Sequence, residues 1–165
     1  MLVSDVMTTN PTCCIPTDTA QTVAIIMRDE DTGIVPVVER TGSGQLVGVV
    51  TDRDLCIGVL AARPPGTEVL NPASIPVKHC MTTEIVYCSP DDNLQKVLDL
   101  MQENQVRRVL VVDEQNTIRG VVSLSDLMNR GRVPKGETQQ TLKAISEPTG
   151  EASKPRARAA GVEAK

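Results

Sequence analysis

A chain of 165 residues, 40% of them apolar, has enough material for one compact domain or two very small ones. With no Phe, no Trp and a single Tyr, its core must be aliphatic, which nearly excludes the stacking of bases on aromatic side chains used by many single-stranded nucleic-acid binders. The net charge of −4 is unevenly spread: residues 130–165 carry eight basic and four acidic groups, leaving −8 on residues 1–129, and such an acidic body argues against DNA or RNA as partner.

In chain order, the first signal is Val6-Met7-Thr8-Thr9, followed by Pro16-Thr17-Asp18. Ala20, Val23, Ala24 and Met27 then fall at i, i+3, i+4 and i+7, the apolar stripe of a helix. Ile34-Val35-Pro36-Val37-Val38 reads as a strand. Thr41-Gly42-Ser43-Gly44 is a turn, and Leu46-Val47-Gly48-Val49-Val50 completes a hairpin. A second helix is expected from about Asp52 to Ala62, stopped by Arg63-Pro64-Pro65-Gly66.

The same series then recurs. Cys80-Met81-Thr82-Thr83, Pro90-Asp91-Asp92 and the stripe Leu94, Val97, Leu98, Met101 all lie 74 positions further on. Val109-Leu110-Val111-Val112, the turn Gln115-Asn116 and Ile118-Arg119-Gly120-Val121-Val122 form the second hairpin, with a helix from about Ser125 to Gly131. The chain therefore divides into repeat 1 (1–63), a Pro-rich linker (64–76), repeat 2 (77–130) and a tail (131–165). Each repeat is a β-α-β-β-α unit too small to bury its own face well, so the two are expected to pack sheet against sheet around one core, an α/β (α+β) pseudo-two-fold pair. The tail composition predicts disorder apart from a short helix within Gln139–Ile145, and residues 133–165 are expected to be dispensable for folding.

The chemistry stands at matching points. Gly48-Val49-Val50-Thr51-Asp52-Arg53-Asp54 and Gly120-Val121-Val122-Ser123-Leu124-Ser125-Asp126 each put a hydroxyl and a carboxylate three residues apart at a strand-to-helix junction. A hydroxyl and free helix N–H groups suit a phosphate, and a carboxylate suits the two hydroxyls of a ribose. The same spacing is also a helix capping box, and the residues alone favour capping, which does not exclude ligand contact. Arg53, Arg107, Arg108 and Arg119 are the nearby cations, and Gly33 reads as a helix C-cap.

In order and duplication, these segments resemble the cystathionine β-synthase (CBS) domain in tandem, the Bateman module, over residues 1–130. The resemblance implies a non-enzymatic regulatory module that senses an adenosine-containing ligand between its repeats. AMP, ADP, ATP, S-adenosylmethionine and NAD(H) all fit that class. It implicates Ile34, Val35, Pro36, Thr51, Arg53 and Asp54 in repeat 1. In repeat 2 it implicates Val109, Leu110, Val111, Ser123 and Asp126, with Arg107 and Arg108 as local cations. The alternative is a ligand-free dimerisation or protein-interaction module. A homodimer is expected through the helix faces bearing Val23, Met27, Val97 and Met101, and the regulated protein is unknown.

No catalytic constellation stands out: Gly42-x-Gly44 lies in a turn, and His79 has no matching Ser or Asp. Cys13, Cys14, Cys56, Cys80 and Cys88 form no C-x-x-C pair. A zinc site from His79, Cys80 and Cys88 matches no usual spacing, so no metal is expected. With neither a secretory leader nor a membrane-length apolar run in the sequence, a cytoplasmic protein with reduced thiols is expected.

Overall fold

Two hairpins organise the chain. The structure, a computed structural model, describes residues 1–61, 71–131 and 135–146. After the short strand β1 (Thr8–Thr9) come helix α1 (Ala20–Asp29), strands β2 (Ile34–Val38) and β3 (Leu46–Thr51), and helix α2 (Asp52–Leu55), which runs on as a π-helical stretch, Cys56–Leu60. Repeat 2 supplies β4 (Tyr87–Cys88), α3 (Leu94–Asn104), β5 (Arg108–Val112), β6 (Ile118–Ser123) and α4 (Leu124–Asn129). The hairpin β2–β3 and the hairpin β5–β6 carry an irregularity at the same place, Val37/Val38 and Val111/Val112. Polar caps start both long helices: Thr19 accepts from the Thr22 amide at 3.1 Å, and Asn93 from that of Lys96 at 2.9 Å.

The repeats exchange their opening segments. β1 pairs antiparallel with β6 of the other repeat, Thr8 opposite Val121. Its counterpart Thr82 pairs with Val49 of β3 through two backbone hydrogen bonds of 2.8 and 2.9 Å. The exchange extends upstream. The Val3 and Ser4 amides donate to the Asp92 and Pro90 carbonyls, and those of Val77 and Lys78 donate to Asp18 and Pro16. Gly48 and Gly120 permit this crossing. A Cβ at Gly120 would stand 2.7 Å from Met7 Sδ and 2.8 Å from the Thr8 carbonyl oxygen; at Gly48 the corresponding distances to Met81 and Thr82 are 3.0 and 3.2 Å.

The expected single core is in fact several. Each repeat packs its helices on its own sheet: Val23, Met27, Val35, Val37 and Val50 with Val77 in one, and Val97, Leu98, Met101, Val109, Val111 and Val122 with Val3 and Val6 in the other. A further cluster joins the repeats through Ile34, Leu46, Val49, Leu110, Val112 and Val121. The hairpin turns clasp there, with the Leu46 amide on the Asn116 carbonyl at 3.1 Å and the Ile118 amide on that of Gly44 at 2.9 Å.

Two expectations need correction. Val23, Met27, Val97 and Met101 are no dimer face, because each is 0–8% exposed within its own repeat. A helix with one apolar stripe spends it on the sheet beside it. In the tail, a helix α5 (Lys135–Ser146) extends past the short one expected and packs on α3 and α4. Thr141 is fully buried there, with the Gln102 amide donating to its hydroxyl at 2.6 Å, and Ile145 packs on the repeat 2 core. Most of the linker, including Arg63-Pro64-Pro65-Gly66, and tail residues 132–134 and 147–165 lie outside the described residues.

Candidate ligand site

β3 and β6 each end in a hydroxyl residue that begins the next helix, so the two boxes are related by the repeat. In the first, Asp54 Oδ2 accepts from the Thr51 amide at 2.8 Å and from its hydroxyl at 2.7 Å, while the Asp54 amide donates back to Thr51 Oγ1 at 3.2 Å. In the second, Asp126 Oδ2 accepts from the Ser123 amide at 2.9 Å and hydroxyl at 2.6 Å, and the Asp126 amide donates to Ser123 Oγ at 3.1 Å. Capping is thus fully formed at both places. One oxygen of each carboxylate is left over. Asp126 Oδ1 lies 3.8 Å from the Arg130 guanidinium, whereas Asp54 has no ion pair among the described residues.

The strand residues separate by parity. Ile34 and Leu110 point into the cluster between the repeats. Val35, Val109 and Val111 point the other way, into their own repeat cores with no exposure, so their side chains do not reach a cleft, and their backbones are paired in the sheets. Pro36 is buried, and its carbonyl accepts from the Cys14 amide at 3.0 Å. Arg53 and Arg107 are exposed. Arg119 is engaged elsewhere, its Nε 2.8 Å from Asp113.

The segment Thr82–Val86 spans from one repeat to the other. Thr82 is bonded to Val49 in β3, the Val86 carbonyl accepts from the Leu110 amide in β5, and Ile85 packs in the cluster between the repeats. With Asn104, this segment lines a cleft of about 260 Å³, close to the lower end of small-ligand sites. Sequence reasoning missed this lining; the signal was present in the repeat of Met-Thr, which marks a duplicated local shape but not the partner it crosses to.

Gly33 is not the C-cap expected of it. α1 ends at Asp29 and is capped by Glu30, with Asp31 in the left-handed region at φ 48. Gly33 instead leaves room: a Cβ there would stand 2.8 Å from Asp52 Oδ2 and 3.2 Å from an Arg108 guanidinium nitrogen. Arg108 therefore reaches across from repeat 2 to the first turn of α2.

Burial pushes the thiols of Cys14 and Cys88 up to about 12, with Asp18 and Asp92 adding to it, and that of Cys80 to about 11, with Asp54 adding to it. Among the described residues no three His, Cys, Asp or Glu side chains converge to hold a metal ion, and no helix is long and apolar enough to cross a membrane.

A family model described as the CBS domain matches residues 3–60 and 77–132. The CBS domain-containing protein YhcV of Bacillus subtilis is 36% identical over 125 residues, 76% of this chain and 81% of that protein. Hypoxic response protein 1 of Mycobacterium tuberculosis is 32% identical over 149 residues, 90% of this chain and 96% of that one. Among solved structures, Hypoxic Response Protein I with two coordinated zinc ions superposes with a TM-score of 0.67 at 30% identity, covering 81% of this chain and 100% of that chain. The CBS domain pair of MJ0100 in complex with 5′-methylthioadenosine and S-adenosyl-L-methionine gives 0.66 over 78% of this chain and 93% of that one. At 20% identity, the second likeness bears on the fold alone.

Proposed function

Because the chain belongs to the CBS-domain family, as a tandem pair of regulatory, non-catalytic modules, we propose that it senses an adenosine-containing nucleotide held between its repeats. The observation that carries this reading is the pair of boxes. Each presents a carboxylate with one oxygen spent on capping; the other faces no cation among the described residues in Asp54 and lies 3.8 Å from the Arg130 guanidinium in Asp126, where ribose hydroxyls would have to share it. The apolar wall of Ile34 and Leu110 lies between the repeats, where a base would be shielded from water. The MJ0100 pair, which shares the fold, was solved in complex with two adenosine derivatives, 5′-methylthioadenosine and S-adenosyl-L-methionine. AMP, ADP, ATP, S-adenosylmethionine and NAD(H) remain the set to test. In this reading Thr51, Asp54, Ser123 and Asp126 face ribose and phosphate, and Arg53, Arg107 and Arg108 supply positive charge. Val35, Pro36, Val109 and Val111 hold that wall in place from within the sheets.

The test is calorimetric titration of this nucleotide set into wild type, Asp54→Asn and Asp126→Asn, with melting curves alongside. Asn still caps a helix, so a purely structural role costs about 0.5–1 kcal/mol of stability and no affinity. Loss of a charge-assisted pair of bonds to ribose weakens binding about ten- to a hundred-fold. Unchanged affinity in both variants, or no binding by wild type, overturns the reading in favour of a ligand-free interaction module. Such a module, or a homodimer of the sensor, uses the exposed Ile57, Leu60 and Met128 on the second helix of each repeat; a monomer mass by light scattering excludes the dimer.

A further inference from the structure

Each repeat turns the backs of its two helices outward, but α5 covers only one of these surfaces. The backbone bond from the Asp52 amide to the Gly33 carbonyl (3.2 Å) has its counterpart in that from Leu124 to Arg107 (3.0 Å). Matched positions therefore lie 74 residues apart on the first helices and 72 apart on the second. In repeat 2, α5 packs on α3 and α4. Gln102 is bonded to Thr141 of α5, and Leu98, one turn earlier on α3, is 1% exposed. Their counterparts in repeat 1, Arg28 and Ala24, are both exposed. The linker turn Pro72–Ser74 packs at the start of α1, where the Ala20 amide donates to the Ile75 carbonyl at 2.8 Å, and leaves those later positions open.

The open surface is apolar where the covered one is polar. Ile25, Ile57 and Leu60 are 42%, 48% and 70% exposed, and the matching residues of repeat 2 are Asp99, Asn129 and Arg132. Ile57 and Leu60 stand on the π-helical stretch Cys56–Leu60, which has no equivalent after α4 among the described residues; departures of this kind from the α-helix concentrate at functional sites. α1 packs against α2, so exposed Ala24, Ile25, Cys56, Ile57, Leu60 and Ala61 lie on neighbouring helices without a charge among them. At the border Arg28 and Asp29 carry one charge of each sign, 2.7 Å apart. A two-fold contact sets a surface against itself, so a patch of one sign would repel its copy. This patch is neutral on a body of net charge −8, which makes it the place where two such bodies can meet.

We infer that the helical face of repeat 1 built by Ile25, Ile57 and Leu60 docks on the same face of a second copy about a two-fold axis, while α5 occupies the matching face of repeat 2 and withholds it from assembly. This narrows the homodimer reading above to one repeat and is independent of the ligand. Three side chains so exposed bury on the order of 300–500 Å² on each copy, about half of a standard interface, so the dimer dissociates in the micromolar range.

The experiment is sedimentation velocity on the full chain between about 1 and 100 μM, the span over which so small a contact associates. Wild type, Ile57→Glu, Leu60→Glu, Asn129→Glu and Thr141→Arg are compared, each of the first four with an unchanged circular-dichroism spectrum. Wild type is expected to rise from the 17.7 kDa monomer to twice that mass. Ile57→Glu and Leu60→Glu stay monomeric, and Asn129→Glu, at the position in repeat 2 that matches Ile57, follows wild type. Thr141→Arg, in which a charge at a fully buried position lifts α5, goes beyond the dimer. Cys56, exposed within the patch, supplies a second readout: a short bis-maleimide joins two wild-type chains, but not two chains of Cys56→Ser or Ile57→Glu. A wild type that stays monomeric, an Ile57→Glu that dimerises as wild type does, or an Asn129→Glu that alone breaks the dimer overturns the docking face. A dimer that is not joined through Cys56 overturns the pairing of repeat 1 with repeat 1. If Thr141→Arg matches wild type at every concentration, α5 withholds nothing.

Discussion

Adding one methyl group where the repeats cross tests the exchange of opening segments. In Gly120→Ala the new carbon arrives 2.7 Å from Met7 Sδ and 2.8 Å from the Thr8 carbonyl oxygen. Met7 is flexible and can turn aside, but the Thr8 carbonyl belongs to the backbone of β1 and can retreat only by loosening its pairing with β6. Overpacking of this kind costs about 1–3 kcal/mol. Replacing glycine by alanine recovers about 0.4–1 kcal/mol through the unfolded chain, so the net loss is about 1–2 kcal/mol. For a chain of this size that lowers the melting temperature by about 2–8 °C. Gly48→Ala meets the matching atoms at 3.0 and 3.2 Å, which a shift of a few tenths of an ångström relieves, and should cost less. Gly136→Ala, with nothing within 4 Å, is the control and should be neutral or gain up to about 1 kcal/mol. Thermal and urea unfolding followed by far-UV circular dichroism suits a chain without Trp. A Gly120→Ala protein as stable as wild type, or a Gly48→Ala protein harmed more than it, would refute the crossing.

Truncation after Arg132 removes α5 and should lower stability by at least about 1 kcal/mol, the worth of the bond between Gln102 and Thr141; an unchanged urea midpoint would mean that α5 does not dock. Alkali should destabilise the fold between pH 9 and 12. The buried thiols ionise in the unfolded chain near 9.0 but at about 12 for Cys14 and Cys88 in the fold, so their contribution is complete below 9 and is lost above it. Cys88→Ala should show a shallower decline in melting temperature over that range, and an identical slope counts against it. Acid acts on Asp113, held below the usual carboxylate range by the Thr117 amide and then by Arg119 and the Gln115 amide. Its contribution is present above about pH 4 and fades as pH falls through the lower folded value, so Asp113→Asn should be less stable at neutral pH and flatter below 4. A parallel acid limb in the variant and wild type would exclude this.

Most of the secondary structure was legible because each element carries a local signature. The stripes of Val23 and Met27 and of Val97 and Met101 mark the helices, and the two boxes mark the strand-to-helix junctions. What those stripes meet was not legible, since periodicity reports that a face is apolar without saying which surface covers it. The crossing of Thr8 and Thr82 was hidden for a related reason: a duplicated segment looks identical whether it completes its own repeat or the other. Gly33 was misread because a glycine after a helix is usually a cap, and only the distant Arg108 shows why a side chain is excluded. Only the later part of α5, within Gln139–Ile145, was expected, and its docking was not, because its apolar positions are sparse and the fully buried Thr141 reads as polar surface in the sequence.

The crossed opening segments also constrain how the chain is made. During synthesis repeat 1 leaves the ribosome with β3 lacking its outer neighbour, because Thr82 has not yet been built, and with Val3, Val6 and β1 waiting for a sheet near the far end of the described chain. Contacts of such long sequence separation form slowly. A nascent or truncated first repeat therefore presents an open strand edge and loose apolar residues that another molecule's Cys80–Val86 segment could satisfy as well as its own. Domain-swapped assembly is the misfolding route this topology invites, at ribosome spacings that place two unfinished chains side by side.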